Sequence, residues 1–318
     1  MKNSAIYYSV GPLLYCPANN KSVAKSIISE KFGKNFSLAL CLEDTINDKF
    51  VYEAERIMIN SISEIYKARE KQSFYLPKIF IRVRNAQQLT RLRDALKDSA
   101  DIISGFIIPK FSLETADEYI QTIIKINEFS KKSMYVMPIY ESSTIIDKRT
   151  RCETLYELKD KLSNIEELVL NIRVGGNDLC HVFGFRRHKD ESIHKIRPIA
   201  DIFSDIITVY GTDYVISGPV WEYYKGDGWK KGLKNEIKDD KLCGFIGKTI
   251  IHPNQIKVVN SAYKVSKQDY DDAKAILNWK PTAQSMVTGN STGERMNEQK
   301  THSNWANQII MLKEAYGI

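Results

Sequence analysis

The sequence predicts a single α/β domain, a (β/α)8 TIM barrel with extra C-terminal helices. Short apolar runs bounded by turn residues alternate strictly with longer segments of helical periodicity. Eight such runs fall within about 250 residues, which is the strand number and length of this barrel. Strict alternation also implies right-handed crossovers and a parallel sheet. A doubly wound open sheet is the alternative, because periodicity does not show whether a sheet closes.

The elements follow one another with few interruptions. The predicted strands cover residues 13–16, 37–42, 78–83, 105–108, 134–139, 166–172, 213–216 and 243–246. The helices between them cover residues 20–32, 47–70, 86–98, 112–131, 143–161 and 229–241, with a mixed segment before residue 210. Three more helices, over 254–262, 267–279 and 304–316, follow the eighth strand, and the polar stretch TGNSTGERMNEQKTH before the last one is predicted to be a loop or lid.

This order divides the chain into a barrel, residues 1–253, and a helical extension, residues 254–318. The extension is expected to pack on the barrel or on a neighbouring subunit of a homo-oligomer. With 318 residues and 43% hydrophobic content, the chain can bury a full core without disulfides. Its five cysteines are scattered and form no C-x-x-C pair, which favours reduced thiols and a cytoplasmic location.

Composition also narrows the function. The net charge of +7 suits a small anionic substrate. Lysine and arginine are spread among the acidic residues instead of forming a block, so we expect no nucleic-acid partner. No apolar stretch is long enough to cross a membrane, and no signal sequence is recognisable, so we expect no membrane association.

Charged residues follow the predicted strands at their C-terminal ends, where a barrel of this type builds its active site. In chain order they are Glu43, Asp44, Arg82, Arg84, Lys110, Glu141 and, in a Gly-Gly-Asn-Asp turn, Asp178. Burying so many unpaired charges would cost several kcal/mol each. A shared site that pairs them is therefore the favoured interpretation.

Glu141 and Asp178 are the candidate metal ligands. Two carboxylates on neighbouring strand ends, with no Cys or His beside them, form an all-oxygen site that suits Mg²⁺ or Mn²⁺ and disfavours zinc. The alternative is structural: Asp178 caps a helix and Glu141 lies in a loop.

Two cations admit two interpretations each. Arg82 would point into the mouth of the barrel and clamp a carboxylate or phosphate, or it forms a structural salt bridge with Glu43 or Asp44. Lys110 could form a Schiff base with a carbonyl substrate, or it pairs with Glu43 or Glu141.

Three other signals are discounted. The segment GFIGKT looks like a phosphate-binding loop, but the glycine spacing of that motif fails because Leu242 occupies the required position. His181, His188 and His194 match no metal motif and are interpreted as solvated residues of a lid. The aromatic run GPVWEYY could stack a base, but packing over the barrel mouth explains it equally well.

Six segments carry a resemblance to a known family: GPLLYCPANN, LALCLEDTINDKFVYEAERI, FIRVRN, GFIIPKFSLETADEY, VGGNDLCHVFG and GFIGKTIIHPNQIKVVNSAYKVS. The chain resembles the citrate lyase beta subunit group of the HpcH/HpaI aldolase superfamily, and within it the tellurium-resistance-associated carbon–carbon bond lyases. The last segment is long and specific to that group, and it also explains the false phosphate loop.

The resemblance implies that Glu141 and Asp178 hold Mg²⁺. It also implies that Arg82 binds the substrate carboxylate or the developing enolate, with Glu43 and Asp44 in the same pocket. The backbone of the turn formed by Gly175, Gly176 and Asn177 would contact the substrate, and Arg84 and Lys110 are further candidates for substrate binding.

The chain departs from the family pattern at three positions: Cys41 replaces an Asp, Arg84 an Asn and Ser142 a Thr. The extra arginine suggests a more acidic or a phosphorylated substrate, and the segments GPVWEYY and GERMNEQKTH differ from those of coenzyme A users.

The expected reaction is a Mg²⁺-dependent cleavage or formation of a carbon–carbon bond, through the enolate of a 2-oxo acid, a 2-hydroxy acid or an acyl thioester. Glu43 and Asp44 are the candidate bases. The alternatives are a Mg²⁺-dependent thioester hydrolase or phosphotransfer enzyme and a non-catalytic component of a stress-response or biosynthetic complex. The resemblance further implies a homo-oligomer, a trimer or hexamer. Substrate specificity is expected to lie in residues 179–211 and 218–232, where no motif is recognisable.

Overall fold

The computed structural model describes residues 2, 4–280 and 284–318. Eight parallel strands close into a barrel in chain order. The strands are β1 (Pro12–Pro17), β2 (Ser37–Cys41), β3 (Lys78–Arg82), β4 (Ile103–Ile108), β5 (Tyr135–Tyr140), β6 (Ile172–Val174), β7 (Ile216–Trp221) and β8 (Phe245–Ile250). The predicted barrel is confirmed, and the open sheet is excluded because β8 pairs with β1.

Helices surround the barrel and follow most of its strands. They are α1 (Ala5–Tyr8), α2 (Val23–Ile28), α3 (Val51–Lys71), α4 (Ala86–Leu96), α5 (Leu113–Glu128), α6 (Arg151–Ser163), α7 (Gly176–Val182), α8 (Arg197–Tyr210), α9 (Trp229–Leu242), α10 (Ile256–Tyr263), α11 (Lys267–Leu277) and α12 (Gln299–Tyr316). A short antiparallel hairpin, β9 (Val287–Gly289) and β10 (Met296–Glu298), lies within the polar stretch predicted as a loop or lid. No helix in the described part of the chain is long and apolar enough to cross a membrane.

Local sequence explains how these helices form. The helix α5 begins with a capping box, in which Ser112 and Thr115 satisfy each other's backbone N–H groups. On α3, apolar side chains recur at helical spacing, and Ala54, Met58 and Ile62 are buried against the strands. The outer face of the barrel is therefore covered by the apolar stripes of its helices.

A second apolar cluster fills the inside of the barrel. Alternate residues of the strands point inward, among them Leu13, Ala39 and Phe80. Side chains of α1 and α12 join this cluster. Because α1 directly precedes β1, this packing closes the N-terminal end of the barrel and leaves the C-terminal end for a site. The division into residues 1–253 and 254–318 stays a prediction.

The last three strands begin later than predicted. Residues 166–168 form a 3-10 turn, so β6 contains three residues only, Ile172–Val174. The run GPVW belongs to β7, and the segment FIGKTI is β8 itself. Each predicted run contains enough apolar residues to predict a strand. In the barrel, however, the residues that pair with the neighbouring strands lie farther along the chain.

Candidate active site

A cavity of about 270 Å³ opens at the C-terminal mouth of the barrel. Seven of the predicted site residues line it: Asp44, Arg82, Glu141, Gly175, Gly176, Asn177 and Asp178. The remaining lining residues are Tyr15, Thr45, Ile139, Arg173, Val174, Val220, Thr249 and Ile251. The structure therefore brings together charged residues that are distant in the sequence.

Arg82 is the centre of the charged cluster. Its Nη2 atom lies 2.7 Å from Glu43 Oε2, 2.9 Å from Asp44 Oδ2 and 2.8 Å from Glu141 Oε1. Burial alone would lower the pKa of Arg82, but the carboxylates of Glu141 and Glu43 raise it above its ordinary value. The guanidinium is thus always charged, and it ties the loops after β2 and β5 together.

The two acids after β2 share a lysine. Lys110 Nζ lies 2.5 Å from Glu43 Oε1 and 3.1 Å from Asp44 Oδ1. Burial tends to lower the pKa of Lys110, but its hydrogen bonds to the two carboxylates raise it above the ordinary value. A Schiff base requires a neutral amine, so this geometry supports the ion pair and not the Schiff-base interpretation of Lys110.

Glu43 and Asp44 have pKa values moved in opposite directions. Burial raises the pKa of Glu43. For Asp44, burial is outweighed by the hydrogen bond with Glu43 and by the charges of Arg82 and Lys110, so its pKa is lowered. Asp44 lines the cavity, whereas Glu43 lies behind it, where it contacts both cations. Asp44 is therefore the member of the pair that lines the cavity, and its neighbours favour its ionised form.

Glu141 is buried at the end of β5, with 5% of its surface exposed. Its Oε1 accepts hydrogen bonds from Arg82 and, at 3.2 Å, from the backbone N–H of Lys110. Lys110 has a φ of 46°, a left-handed turn that aims this N–H at the carboxylate. Burial raises the pKa of Glu141 to about 8, with Arg82 opposing the shift and Asp178 adding to it.

Gly175 gives Glu141 the space that it occupies. A Cβ atom on Gly175 would lie 2.3 Å from Glu141 Oε2. Any side chain at this position would collide with the carboxylate. Only a glycine in the turn after β6 therefore leaves room for the acid after β5.

Asp178 lies in the first turn of α7 and lines the same cavity. Among the described residues, neither its carboxylate nor Glu141 Oε2 has a hydrogen-bond or ion-pair partner. Over the same part of the chain, no group of three or more His, Cys, Asp or Glu side chains is arranged to hold a metal. Two adjacent carboxylates with unused oxygens fit Mg²⁺, which usually takes one or two protein carboxylates and keeps several waters.

The structure does not bring Arg84 to the cavity. Its Nε donates to Leu42 O at 2.6 Å, its Nη1 lies 2.6 Å from Asp48 Oδ1, and its Nη2 donates to Glu43 O at 3.2 Å. The side chain therefore holds the backbone of the loop that carries Glu43 and Asp44. Its predicted contact with substrate stays a prediction.

Sequence reasoning missed the inward-facing residues below the strand ends, above all Tyr15, Arg173 and Thr249. The alternation of inward and outward side chains along each strand could have predicted these residues. It required the correct start of β6: in the register of the structure, Arg173 pairs with Ile139 on one side and Ser217 on the other.

A second cluster of buried charges lies outside the barrel, between β8 and α9. Lys248 Nζ lies 3.0 Å from Glu236 Oε1 and 2.7 Å from Asp240 Oδ2. Arg187 Nε pairs with Glu236 Oε2 at 3.0 Å, and His194 Nε2 lies 2.7 Å from Asp240 Oδ1. We call these five residues the Lys248 network. The interpretation of His194 as a solvated residue was wrong, because Asp240 draws it into this network, whereas His181 and His188 are exposed.

The aromatic run after β7 also has a structural explanation. Trp221 is fully buried, and Arg187 lies over its ring at 5.4 Å. Tyr224 stacks on His252, with ring centroids 4.5 Å apart. Trp221 therefore packs in the core between the barrel and its helices, and not over the barrel mouth as the alternative interpretation predicted.

The family model described as C-C bond lyase of the TIM-barrel fold matches residues 4–318. The chain belongs to this family. It is a carbon–carbon bond lyase, as the sequence resemblance predicted. No curated protein matches the sequence.

Solved structures with the same fold include three of particular interest. CitE from Mycobacterium tuberculosis, in complex with magnesium, acetoacetate and coenzyme A, has a TM-score of 0.62 and 16% identity, with 98% of this chain and 100% of that chain covered. RipC from Yersinia pestis has a TM-score of 0.55 and 15% identity, with 82% and 98% covered. The citrate lyase beta subunit of M. tuberculosis, complexed with oxaloacetate and magnesium, has a TM-score of 0.53 and 17% identity, with 81% and 98% covered. At these identities the likeness concerns the fold alone.

Proposed function

We propose that this lyase is Mg²⁺-dependent and acts on a 2-oxo acid, a 2-hydroxy acid or a thioester of such an acid. One observation carries the proposal: Glu141 and Asp178 line the same cavity and present carboxylate oxygens that have no partner among the described residues. The magnesium in the complexes of the M. tuberculosis proteins supports it. Glu141 and Asp178 would hold the ion, and when bound it would supply a Lewis acid that stabilises the negative charge of the enolate.

Residues of the chain itself would have the remaining roles in the reaction. Arg82 orients Glu141 through the contact of 2.8 Å and keeps a positive charge at the cavity wall. Its Nε is buried and has no hydrogen-bond partner in residues 2, 4–280 and 284–318, so the guanidinium keeps a donor for the substrate. This position suits electrostatic stabilisation of charge that develops on the substrate during bond cleavage.

Asp44 is the residue placed to exchange a proton with the substrate. It is ionised, lines the cavity and is held by Arg82 and Lys110. Glu43 positions both cations from behind and does not line the cavity, so we assign it a positioning role. Bond cleavage in a β-hydroxy acid requires removal of the hydroxyl proton, and Asp44 would accept it.

Calorimetric titration of Mg²⁺ tests the metal site. We expect the wild-type protein to bind Mg²⁺ and Asp178→Ala to lose that binding, with pyruvate or oxaloacetate tightening it in the wild type only. Asp190, an exposed residue of the segment that follows α7, offers the matched control Asp190→Ala, which should bind as the wild type does. Absence of Mg²⁺ binding by the wild type would refute the proposal.

Product analysis tests the reaction. A lyase acting on a thioester releases two carbon fragments, whereas a thioester hydrolase releases a thiol and an intact acid. We expect two fragments and no thiol, with Asp44→Asn reducing turnover by at least about a hundredfold because it removes the proton acceptor. Thiol release alone would replace the proposed function with the hydrolase alternative. Assembly into a trimer or hexamer stays a prediction that sedimentation can test.

A further inference from the structure

Arg173 is buried inside the barrel and has no negative partner among the described residues. Only 2% of its surface is exposed, and it lines the cavity from β6. Its Nη2 donates to Thr249 Oγ1 at 2.6 Å and its Nη1 to Asn171 Oδ1 at 3.4 Å. Its Nε has no hydrogen-bond partner within the described part of the chain. A guanidinium has five N–H groups, so donors that include the Nε–H remain for a ligand.

The groups around Arg173 are neutral. Besides Asn171 and Thr249, the neighbours that influence its charge are the hydroxyls of Tyr15 and Tyr316. Burial raises the pKa of Tyr15 to about 12, and it raises the pKa of Tyr316 as well, so both phenols remain protonated. No described carboxylate forms an ion pair with Arg173, and burial lowers its pKa below the ordinary value.

The other buried arginines of the described chain differ in this respect. Arg82 contacts three carboxylates, Arg151 pairs with Asp205 at 2.8 Å, and Arg187 pairs with Glu236. A buried cation without a partner costs several kcal/mol, which a structural role does not require here. The cost is offset when a ligand brings the missing negative charge.

The position of Arg173 defines where that charge would lie. Arg173 pairs with Ile139 in the sheet, so it lies one inward-facing layer below Glu141, about 6.6 Å along the strand at 3.3 Å per residue. The candidate metal ligands are therefore at the cavity mouth and Arg173 at its floor. A small substrate that reaches both must carry acidic groups at two places.

We propose that Arg173 is the anion-binding residue of the cavity floor and that the substrate carries a second acidic group, a carboxylate or a phosphoryl group, which pairs with it. The inference rests on the proposed function only for the first acidic group of the substrate, the one that would bind at the Mg²⁺ site. The planar fork of arginine binds either group through two hydrogen bonds. Arg173 is thus a specificity residue that distinguishes a substrate with two acidic groups from one with a single carboxylate.

Three 2-hydroxy acids test the inference by calorimetry. Lactate, malate and 3-phosphoglycerate share a 2-hydroxy carboxylate and differ in the second group, which is absent, a carboxylate or a phosphoryl group. In the presence of Mg²⁺ we expect malate or 3-phosphoglycerate to bind wild type at least about tenfold more tightly than lactate, since a charge-assisted pair is added. The tighter of the two identifies the second group.

Two variants separate recognition from folding. Arg173→Gln should lose the preference for the doubly acidic ligands while its affinities for lactate and Mg²⁺ stay within about twofold of wild type. Arg173→Lys, which keeps the charge, should retain part of the preference. Arg187→Gln is the matched control, because Arg187 is equally buried but belongs to the Lys248 network, so it should keep the full preference.

Repeating the titrations in EDTA separates this inference from the proposed function. If wild type binds no Mg²⁺ but prefers malate or 3-phosphoglycerate through Arg173, the proposed function fails and the inference stands. Equal binding of all three acids by wild type, with and without Mg²⁺, would overturn it. A preference that survives in Arg173→Gln would overturn it as well.

Discussion

The cavity mouth and the Lys248 network both bury several charges, but they differ in how completely these charges are paired. In the network, the side chains of Lys248, Glu236 and Asp240 are fully buried and every charge faces an opposite one within 3.0 Å. At the cavity, Asp178, Glu141 Oε2 and Arg173 keep unused donors or acceptors among the described residues. Both clusters contain acids and bases, so composition does not distinguish them.

The difference shows how to recognise a site among buried charges. A fully paired network is complete within the protein and has no capacity left for a ligand. A partly paired cluster beside a cavity remains costly until a ligand completes it, which is the expected property of a binding site. Three experiments test this distinction.

The largest expected effect is loss of stability in the Lys248 network. Replacing Lys248 by Met leaves Glu236 and Asp240 buried beside each other without their shared cation, and we expect a loss of about 3–5 kcal/mol in the free energy of unfolding. Urea denaturation measures it, with Lys238→Met as the control on the exposed face of α9. A loss below about 1 kcal/mol would show that the network is not a structural unit of this kind.

The second effect separates binding from stability at the cavity. Asp178 has no partner among the described residues, so Asp178→Asn should change the free energy of unfolding by less than about 0.5 kcal/mol. The same substitution should weaken Mg²⁺ binding by about a hundredfold, or 2.7 kcal/mol, because a charged ligand becomes neutral. If stability falls while Mg²⁺ affinity is unchanged, Asp178 belongs with the structural charges.

The smallest effect concerns pH. The pKa of Glu141 is about 8 in the metal-free protein, so Mg²⁺ must displace a proton below that pH. We expect the affinity to fall about tenfold for each pH unit below 8 and to level off above it. Calorimetry between pH 6 and 9 measures this, and a flat profile would contradict it.

The same shift affects stability without metal. Because the folded state holds the Glu141 proton more tightly than the unfolded chain does, this contribution to stability is full below the ordinary pKa of about 4.5 and is lost as the pH rises through 8. Mg²⁺ should restore stability at high pH.

Alternation of apolar runs was enough to predict the barrel, and charges at strand ends were enough to predict much of the site. Parallel strands of a closed barrel bring their C-terminal ends together, so Arg82, Asp44 and Glu141 had to meet once the strands were assigned. The glycine turn before Asp178 could be predicted as part of the site for the same reason, because it follows the C-terminal end of a strand.

The rest depends on contacts that the sequence does not display. Arg173 was missed because β6 begins only at the last residue of the apolar run that predicts it, so that Arg173 lies just beyond the predicted strand. His194 contacts Asp240, which lies 46 residues away in the sequence, so only the fold brings the two side chains together. Arg84 follows the strand as a site residue would, yet it donates to backbone carbonyls of the loop before α3 and to the carboxylate of Asp48.

The shortness of β6 bears on motion. Two residue pairs join β6 to each neighbouring strand, whereas five join β1 to β2, so the strand ladder of the barrel is shortest at β6, beside Arg173 and the glycine turn. Local opening requires the least free energy where the fewest hydrogen bonds must break. Amide hydrogens of residues 172–176 should therefore exchange with solvent sooner than those of β1, and the wall beside the cavity can yield to an entering ligand while the other strands stay closed.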